Sequence, residues 1–117
     1  MKTTVSLKEN HLFRRLYQKG KTAADSRLAI YVRPNGRDGN RLGFTVSTKL
    51  GHAVVRNRTR RRLREVYRLH EDEIVCGRDI VVVARVRAAS STYQQLEKSF
   101  LHLAGKLELL KKEKETT

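Results

Sequence analysis

One cysteine, Cys76, one proline, Pro34, one methionine, Met1, and no tryptophan make these the scarcest residue types in a chain of 117 residues. A lone cysteine excludes an internal disulfide and any Cys-x-x-Cys zinc site, and it suits a reducing cytoplasm. No apolar stretch approaches the roughly 18–20 residues that span a bilayer, and no signal peptide opens the chain, so no membrane partner is expected. Acids are few: 12 Asp and Glu face 26 Lys and Arg, for a formal charge of +14. So strong a basic excess in a small chain points to a polyanion, most often nucleic acid. The length suits one domain, read here as a single nucleic-acid-binding unit over 1–117.

What is present falls into periodic segments. Ser6-Leu7-Lys8-Glu9 has the spacing of a capping box. After it Leu12/Leu16 and Phe13/Tyr17 recur at i, i+4, and Gly20 offers a stop, which predicts a helix over 7–18. Residues 27–33 alternate, with Leu28, Ile30 and Val32 on one face and Arg27, Ala29, Tyr31 and Arg33 on the other. A Pro/Asn/Gly turn over 34–40 leads to a second alternation, Leu42, Phe44 and Val46 inward, and the two strands read as a hairpin. A helix over 53–70 sets Val55, Thr59, Leu63, Val66, Tyr67 and Leu69 on one arc, leaving Asn57 and most of the arginines on the rest with Arg56 at the seam. Glu71-Asp72-Glu73 breaks it. Ile80–Ala84 is apolar throughout, as in a strand buried on both faces. A last helix begins near Ser91 or Thr92 and carries Leu96, Phe100, Leu103, Leu107 and Leu110, before a charged tail, 111–117, that should fray. The order is α-β-β-α-β-α, an α+β chain with a mixed sheet and a βαβ crossover.

The window Lys49–Arg68 holds Lys49, Arg56, Arg58, Arg60, Arg61, Arg62, Arg64 and Arg68 against one acid, Glu65, a net +7 or half of the whole charge. A helix face that is merely solvated mixes signs at i, i+4 to limit self-repulsion. This one calls for an external anion, and arginine's planar fork suits phosphate better than lysine's point charge. Phe44 and Phe100 lie on apolar stripes and should be core. Tyr31 lies opposite the apolar face of its strand, while Phe13 and Tyr17 share a helix with Arg14 and Arg15. Aromatics beside arginines suit unstacked bases, although Phe13 could equally fill the core and Tyr31 cover the helix. Catalytic constellations are missing: no acidic pair is placed for metal-assisted hydrolysis, and His11, His52, His70 and His102 are scattered without an HExxH spacing. Cys76 beside Gly77 should pack as a small, inert side chain. Arg41-Leu42-Gly43-Phe44-Thr45-Val46-Ser47 echoes an RNA-recognition motif only weakly, because Leu42 stands where glycine is required.

From Lys49-Leu50-Gly51-His52-Ala53-Val54-Val55-Arg56-Asn57-Arg58 through Thr59-Arg60-Arg61-Arg62-Leu63-Arg64 the sequence resembles the protein subunit of bacterial ribonuclease P. The triplet Arg56-Asn57-Arg58 in this setting is that family's signature. Leu7-Lys8-Glu9-Asn10 with Phe13, Tyr17 and Gly20, then Leu42–Ser47 and Asp79–Arg85, extend the likeness over nearly the whole chain. The resemblance implies an α/β two-layer sandwich, like that of ribosomal proteins, with a left-handed βαβ crossover against the usual hand. It implies that Arg56, Asn57, Arg58, Arg61 and Arg62, with Lys49 and Arg68, face a catalytic RNA. It further implies that a cleft between the first helix and the sheet, with Phe13, Tyr17, Tyr31, Arg60, Arg61 and Arg64, holds the single-stranded 5′ leader of precursor tRNA. Catalysis would then belong to the RNA, with magnesium bound mainly there, and the protein would contribute affinity and charge screening. The partners expected are the ribonuclease P RNA and precursor tRNA, with no DNA. A structural rRNA-binding protein is the alternative of another class, and a protein-only nuclease is disfavoured by the missing metal ligands.

Overall fold

The computed structural model describes residues 3–112. Its strands are β1 (Thr4–Ser6), β2 (Lys21–Ala24), β3 (Leu28–Pro34), β4 (Asn40–Val46) and β5 (Arg78–Ala84), and its helices α1 (Asn10–Lys19), α2 (Ala53–His70) and α3 (Tyr93–Lys106). They form one mixed sheet in the order β1-β4-β5-β3-β2. The α+β class and the mixed sheet are as expected.

The strands β3 and β4 do not form the expected hairpin. Between them lies β5, antiparallel to β3 and parallel to β4. The reason lies in β5 itself: Ile80, Val81 and Val82 are at most 1% exposed, and a strand apolar on both faces needs the middle of the sheet. The loop after Pro34 therefore crosses the end of β5, where the Asn35 amide donates to the Gly77 carbonyl at 3.0 Å. The Asn35 side chain donates to Gly39 O and Asp79 Oδ1, each at 3.1 Å. The connection from β4 through α2 to β5 joins parallel neighbours, as a βαβ unit must.

Two strands escape the periodicity argument. Residues Thr4–Ser6 form β1, parallel to the start of β4, and the Leu7 amide continues the ladder to Leu42 O at 2.9 Å. Ser6 is thus sheet rather than cap, and α1 begins at Asn10 behind Glu9, which makes no side-chain capping bond. The actual capping box closes α3, where Thr92 Oγ1 accepts from the Gln95 amide and Gln95 Oε1 accepts from the Thr92 amide. The other strand, β2, is short, polar and carries Lys21, which protects an exposed sheet edge. Gly20 does stop α1, in extended rather than left-handed backbone; a Cβ there would stand 2.6 Å from Leu16 O.

The helices divide between the two faces. Leu28, Ile30, Val32, Leu42, Val46, Ile80, Val82 and Ala84 meet α2 and α3 in the main core, with Tyr67 and Phe100 edge to face at a 6.2 Å centroid separation. On the other face Leu7 and Leu16 close over Val81, with Leu12, Phe13, Tyr31 and Val83 partly buried around them, so α1 adds a third layer to the sandwich there. Tyr67 is wholly buried, and burial pushes its phenol pKa up. Its hydroxyl bonds Thr4 Oγ1 at 2.8 Å and accepts from Asn40 Nδ2 at 3.2 Å, pinning β1 and β4 to α2.

Other expectations fail for local reasons. Leu69, placed on the buried arc of α2, is 54% exposed, while Arg62, placed on the solvent arc, is half-buried and donates to Ser91 O at 3.1 Å. The buried arc is narrower than expected and centres on Thr59, Leu63, Val66 and Tyr67. The last helix ends at Lys106 rather than Leu110. Glu108 takes a left-handed φ of 58°, which turns Leu109 into the core and bridges Leu110 to Ile74. Lys111, expected to fray, donates its amide to Glu73 O at 2.7 Å, while 113–117 lie outside the described residues. Cys76 is exposed rather than packed, and Phe44 is only half-buried.

Candidate nucleic-acid interface

Two groups of side chains form the site. The first is the exposed arc of α2. Asn57, Arg61, Arg64 and Arg68 are exposed, as is Lys49 in the 3₁₀ turn before the helix, and Arg56, Arg58 and Arg60 are half-buried. Few of these charges are spent internally. Arg68 forms a two-pronged pair with Glu65, which holds that carboxyl below its ordinary range, and Arg60 Nη1 donates to Asn57 Oδ1 at 3.1 Å. Arg56, Arg58, Arg61 and Arg64 have no acidic partner among the described residues, and Nε of both Arg56 and Arg58 is buried without an acceptor. Arg62 is turned toward the Ser91 carbonyl, on the flank of the helix beside Arg58, Ser90 and Thr92.

The second group is a cleft on the α1 side of the sheet, of about 190 Å³, lined by Thr4–Leu7, Phe13, Leu42, Gly43, Phe44, Arg60 and Arg64. It exists because β1 stops at Ser6 and leaves the edge of β4 unpaired from Gly43 on, and because a residue without Cβ sits under the Phe13 ring. A Cβ on Gly43 would lie 2.5 Å from Phe13 Cζ. One helical turn beyond, Tyr17 stands edge-on to Tyr31 at 4.9 Å and shares a 2.6 Å hydrogen bond with Thr45 Oγ1. Tyr17 is 40% exposed and Tyr31 half-buried, so one ring offers a face while the other supports it. The structure thus brings together Phe13, Arg60 and Arg64 in one cleft, with Tyr17 and Tyr31 beyond. Arg61 is exposed elsewhere and does not line the cleft. Sequence reasoning missed Gly43 and Thr45; an isolated glycine on an alternating strand is the signal that pointed to a close approach.

Among the described residues, no group of three or more His, Cys, Asp or Glu stands close enough to hold a metal ion, and no helix is long and apolar enough to cross a membrane. A basic helix beside an aromatic cleft is the outline of a nucleic-acid-binding protein. Comparison with known proteins decides which. The Ribonuclease P family model matches residues 1–108. The chain belongs to the ribonuclease P protein family.

A ribonuclease P protein component of Alkaliphilus metalliredigens is 44% identical over 110 residues, covering 94% of this chain and 99% of that one. That of Clostridioides difficile is 41% identical over 107 residues, covering 91% and 94%. Among solved structures, the ribonuclease P protein of Staphylococcus aureus superposes with a TM-score of 0.84 at 36% identity, over 91% of this chain and 97% of the other. That of Thermotoga maritima gives 0.76 at 29%, over 83% and 92%. As a family member the chain is the protein component of an endoribonuclease ribonucleoprotein that processes tRNA.

Proposed function

We propose that this subunit holds the catalytic RNA of ribonuclease P on the exposed arc of α2 and the single-stranded 5′ leader of precursor tRNA in the cleft under α1, in the cytoplasm. Arg56, Asn57, Arg58 and Arg61, with Lys49, face the RNA subunit in this reading; Arg62 and Arg68 contribute less, since each already has an internal partner. Phosphates bind the arginines bidentately and release counterions, which makes this contact salt-dependent. The observation that carries the leader assignment is the juxtaposition of Phe13 with Arg60 and Arg64, continued by the Tyr17–Tyr31 pair. A single strand offers what that cleft can take, unstacked bases for rings and phosphates for guanidinium groups. The chain's own residues bind, orient and screen charge between two polyanions. The reacting groups, and the magnesium of phosphodiester cleavage, belong mainly to the RNA.

The test uses enzyme reconstituted with a bacterial ribonuclease P RNA. Tyr17→Ala should weaken binding of long-leader precursor tRNA by about 1–3 kcal/mol, a loss that persists at high salt because stacking does not depend on counterions. Mature tRNA should bind unchanged. Equal losses for long-leader, short-leader and mature tRNA would refute the leader cleft.

A further inference from the structure

A second basic surface lies away from the site just described. The solvent side of α1 carries Arg14, Arg15 and Lys19, and Lys19 continues into a shallow depression with Lys21, Arg33 and Arg78 around the free edge of β2. Among the described residues these six cations meet one acid, Glu108. Arg60 and Arg64 of α2 line the cleft beside Phe13, whereas none of the six lines it and this surface follows the solvent side of α1 to the β3–β2 edge. On the face of the sheet Arg33 is registered opposite an acid, Asp79. That carboxylate is already taken by Arg41 at 2.7 and 2.8 Å and by Asn35 at 3.1 Å. Arg33 keeps Nη1 without an acceptor, and Arg78 reaches only the carbonyls of Cys76 and Gly77. None of the six is ion-paired among the described residues. The two basic surfaces hold seven and five of the chain's fourteen net charges.

We infer that this α1–β2 surface is a second docking face for RNA, and that its occupant is the phosphate backbone of a base-paired segment of the catalytic RNA. Of the residues that line it only His11 carries a ring, and that imidazole is engaged by Glu9 at 3.3 Å, so cations rather than stacking faces dominate the surface. A duplex hides its bases and presents phosphates, which is what exposed cations read. Arg15 and Lys19 lie one helical turn apart, about 6 Å along the axis, a spacing on the scale of neighbouring phosphates. With α2 on one RNA segment and this face on another, the protein would tie two parts of the RNA together around the leader cleft. The inference rests on the proposed function, since it takes the same RNA as partner.

The experiment measures affinity for ribonuclease P RNA without tRNA as a function of salt, using the full-length protein. Arg15→Gln/Lys19→Gln changes two exposed side chains and should weaken binding and lower the log–log salt slope by about two units. Glu108→Gln, which removes the one acid that lines the surface among the described residues, should tighten binding. Arg87→Gln/Lys98→Gln, two exposed cations outside both basic surfaces, should leave the slope unchanged. Three results would overturn the inference. One is an equal slope change in the Arg87/Lys98 control, which would mean that only net charge matters. Another is unchanged RNA affinity in Arg15→Gln/Lys19→Gln with weaker precursor tRNA binding in the reconstituted enzyme, which would move the surface to the substrate. The third is unchanged RNA affinity with lost binding to anionic phosphatidylglycerol vesicles. The underlying reading is tested separately by Arg58→Ala/Arg61→Ala on α2. If that variant loses RNA and the Arg15/Lys19 variant does not, only the second face falls; if neither loses RNA, the proposed function falls too.

Discussion

The two faces of the sheet are built to different standards. Toward α2 and α3 the sheet is sealed, with Tyr67, Phe100, Leu63, Leu96 and Leu103 at most 1% exposed over the inward residues of three strands. Toward α1 only Leu7, Leu16 and Val81 are fully covered, and Phe13, Tyr31 and Val83 remain partly open. Apolar area removed from water is the main favourable term in folding, so stability concentrates on the first face. The second keeps its aromatics where a ligand can reach them. A small basic chain can hold both properties because one helix suffices to shelter, without closing, the face to which we assign leader binding.

That contrast predicts opposite phenotypes for aromatic truncations. Phe100→Ala removes a ring from the sealed face and should cost about 3–5 kcal/mol, lowering Tm by on the order of 10–20 °C in thermal unfolding. Tyr17→Ala, on the open face, should leave Tm nearly unchanged while weakening leader binding as argued above. A large Tm loss in Tyr17→Ala would mean that the α1 face is as much core as the other.

Gly43→Ala breaks the open face from within. The new methyl would stand 2.5 Å from Phe13 Cζ and 3.3 Å from Leu7 Cβ. The Phe13 ring can swing away, but Leu7 belongs to the buried cluster, so overpacking should cost about 1–2 kcal/mol. The sharper effect falls on the cleft: long-leader precursor tRNA should bind more weakly, with affinity for the RNA subunit unchanged. Unaltered leader binding would show that Phe13 is not part of the path.

How much of this could be read from the residues depends on what each signal encodes. The span of α2 was legible to the residue, because an 18-residue pattern with one apolar arc admits no other register. The central place of β5 was legible as an apolar run, yet the hairpin inference overrode it: strand alternation tells which residues face inward and nothing about which strand lies alongside. Residues Thr4–Ser6 carry too few side chains to show a period, and their Ser6–Glu9 spacing imitated a cap. Phe13 was undecidable from pattern, since a residue at a core edge and one in a cleft share the same helical position; Gly43 beneath it settles that it is both. The pairing of Arg68 with Glu65 and the turn of Arg62 toward Ser91 depend on rotamers and tertiary neighbours, which charge counting does not see.

The smallest expected effect compares the histidines of the two faces. His70, at the end of α2, bridges Glu97 of α3 at 2.9 Å through Nε2 and Glu73 through Nδ1, and so stitches the sealed face together. Burial pulls its imidazole down, but hydrogen bonds to Glu97 and Glu73 outweigh this and hold its pKa above the ordinary 6.5. A histidine raised in the folded state contributes stability that is full below the unfolded value and fades as pH climbs through the folded one. The advantage of wild type over His70→Gln should therefore be present at pH 6, amount to less than about 1 kcal/mol for such surface pairs, and shrink as pH rises past 7. On the open face His11 meets Glu9 at 3.3 Å, but both side chains are more than half exposed, 59% and 66%, so His11→Gln should cost little stability. Urea titrations of both variants at several pH values decide the matter. A gap for His70→Gln that stays constant or widens with pH would mean that its charge adds nothing to the seam between α2 and α3, and that the sealed face holds by apolar packing alone.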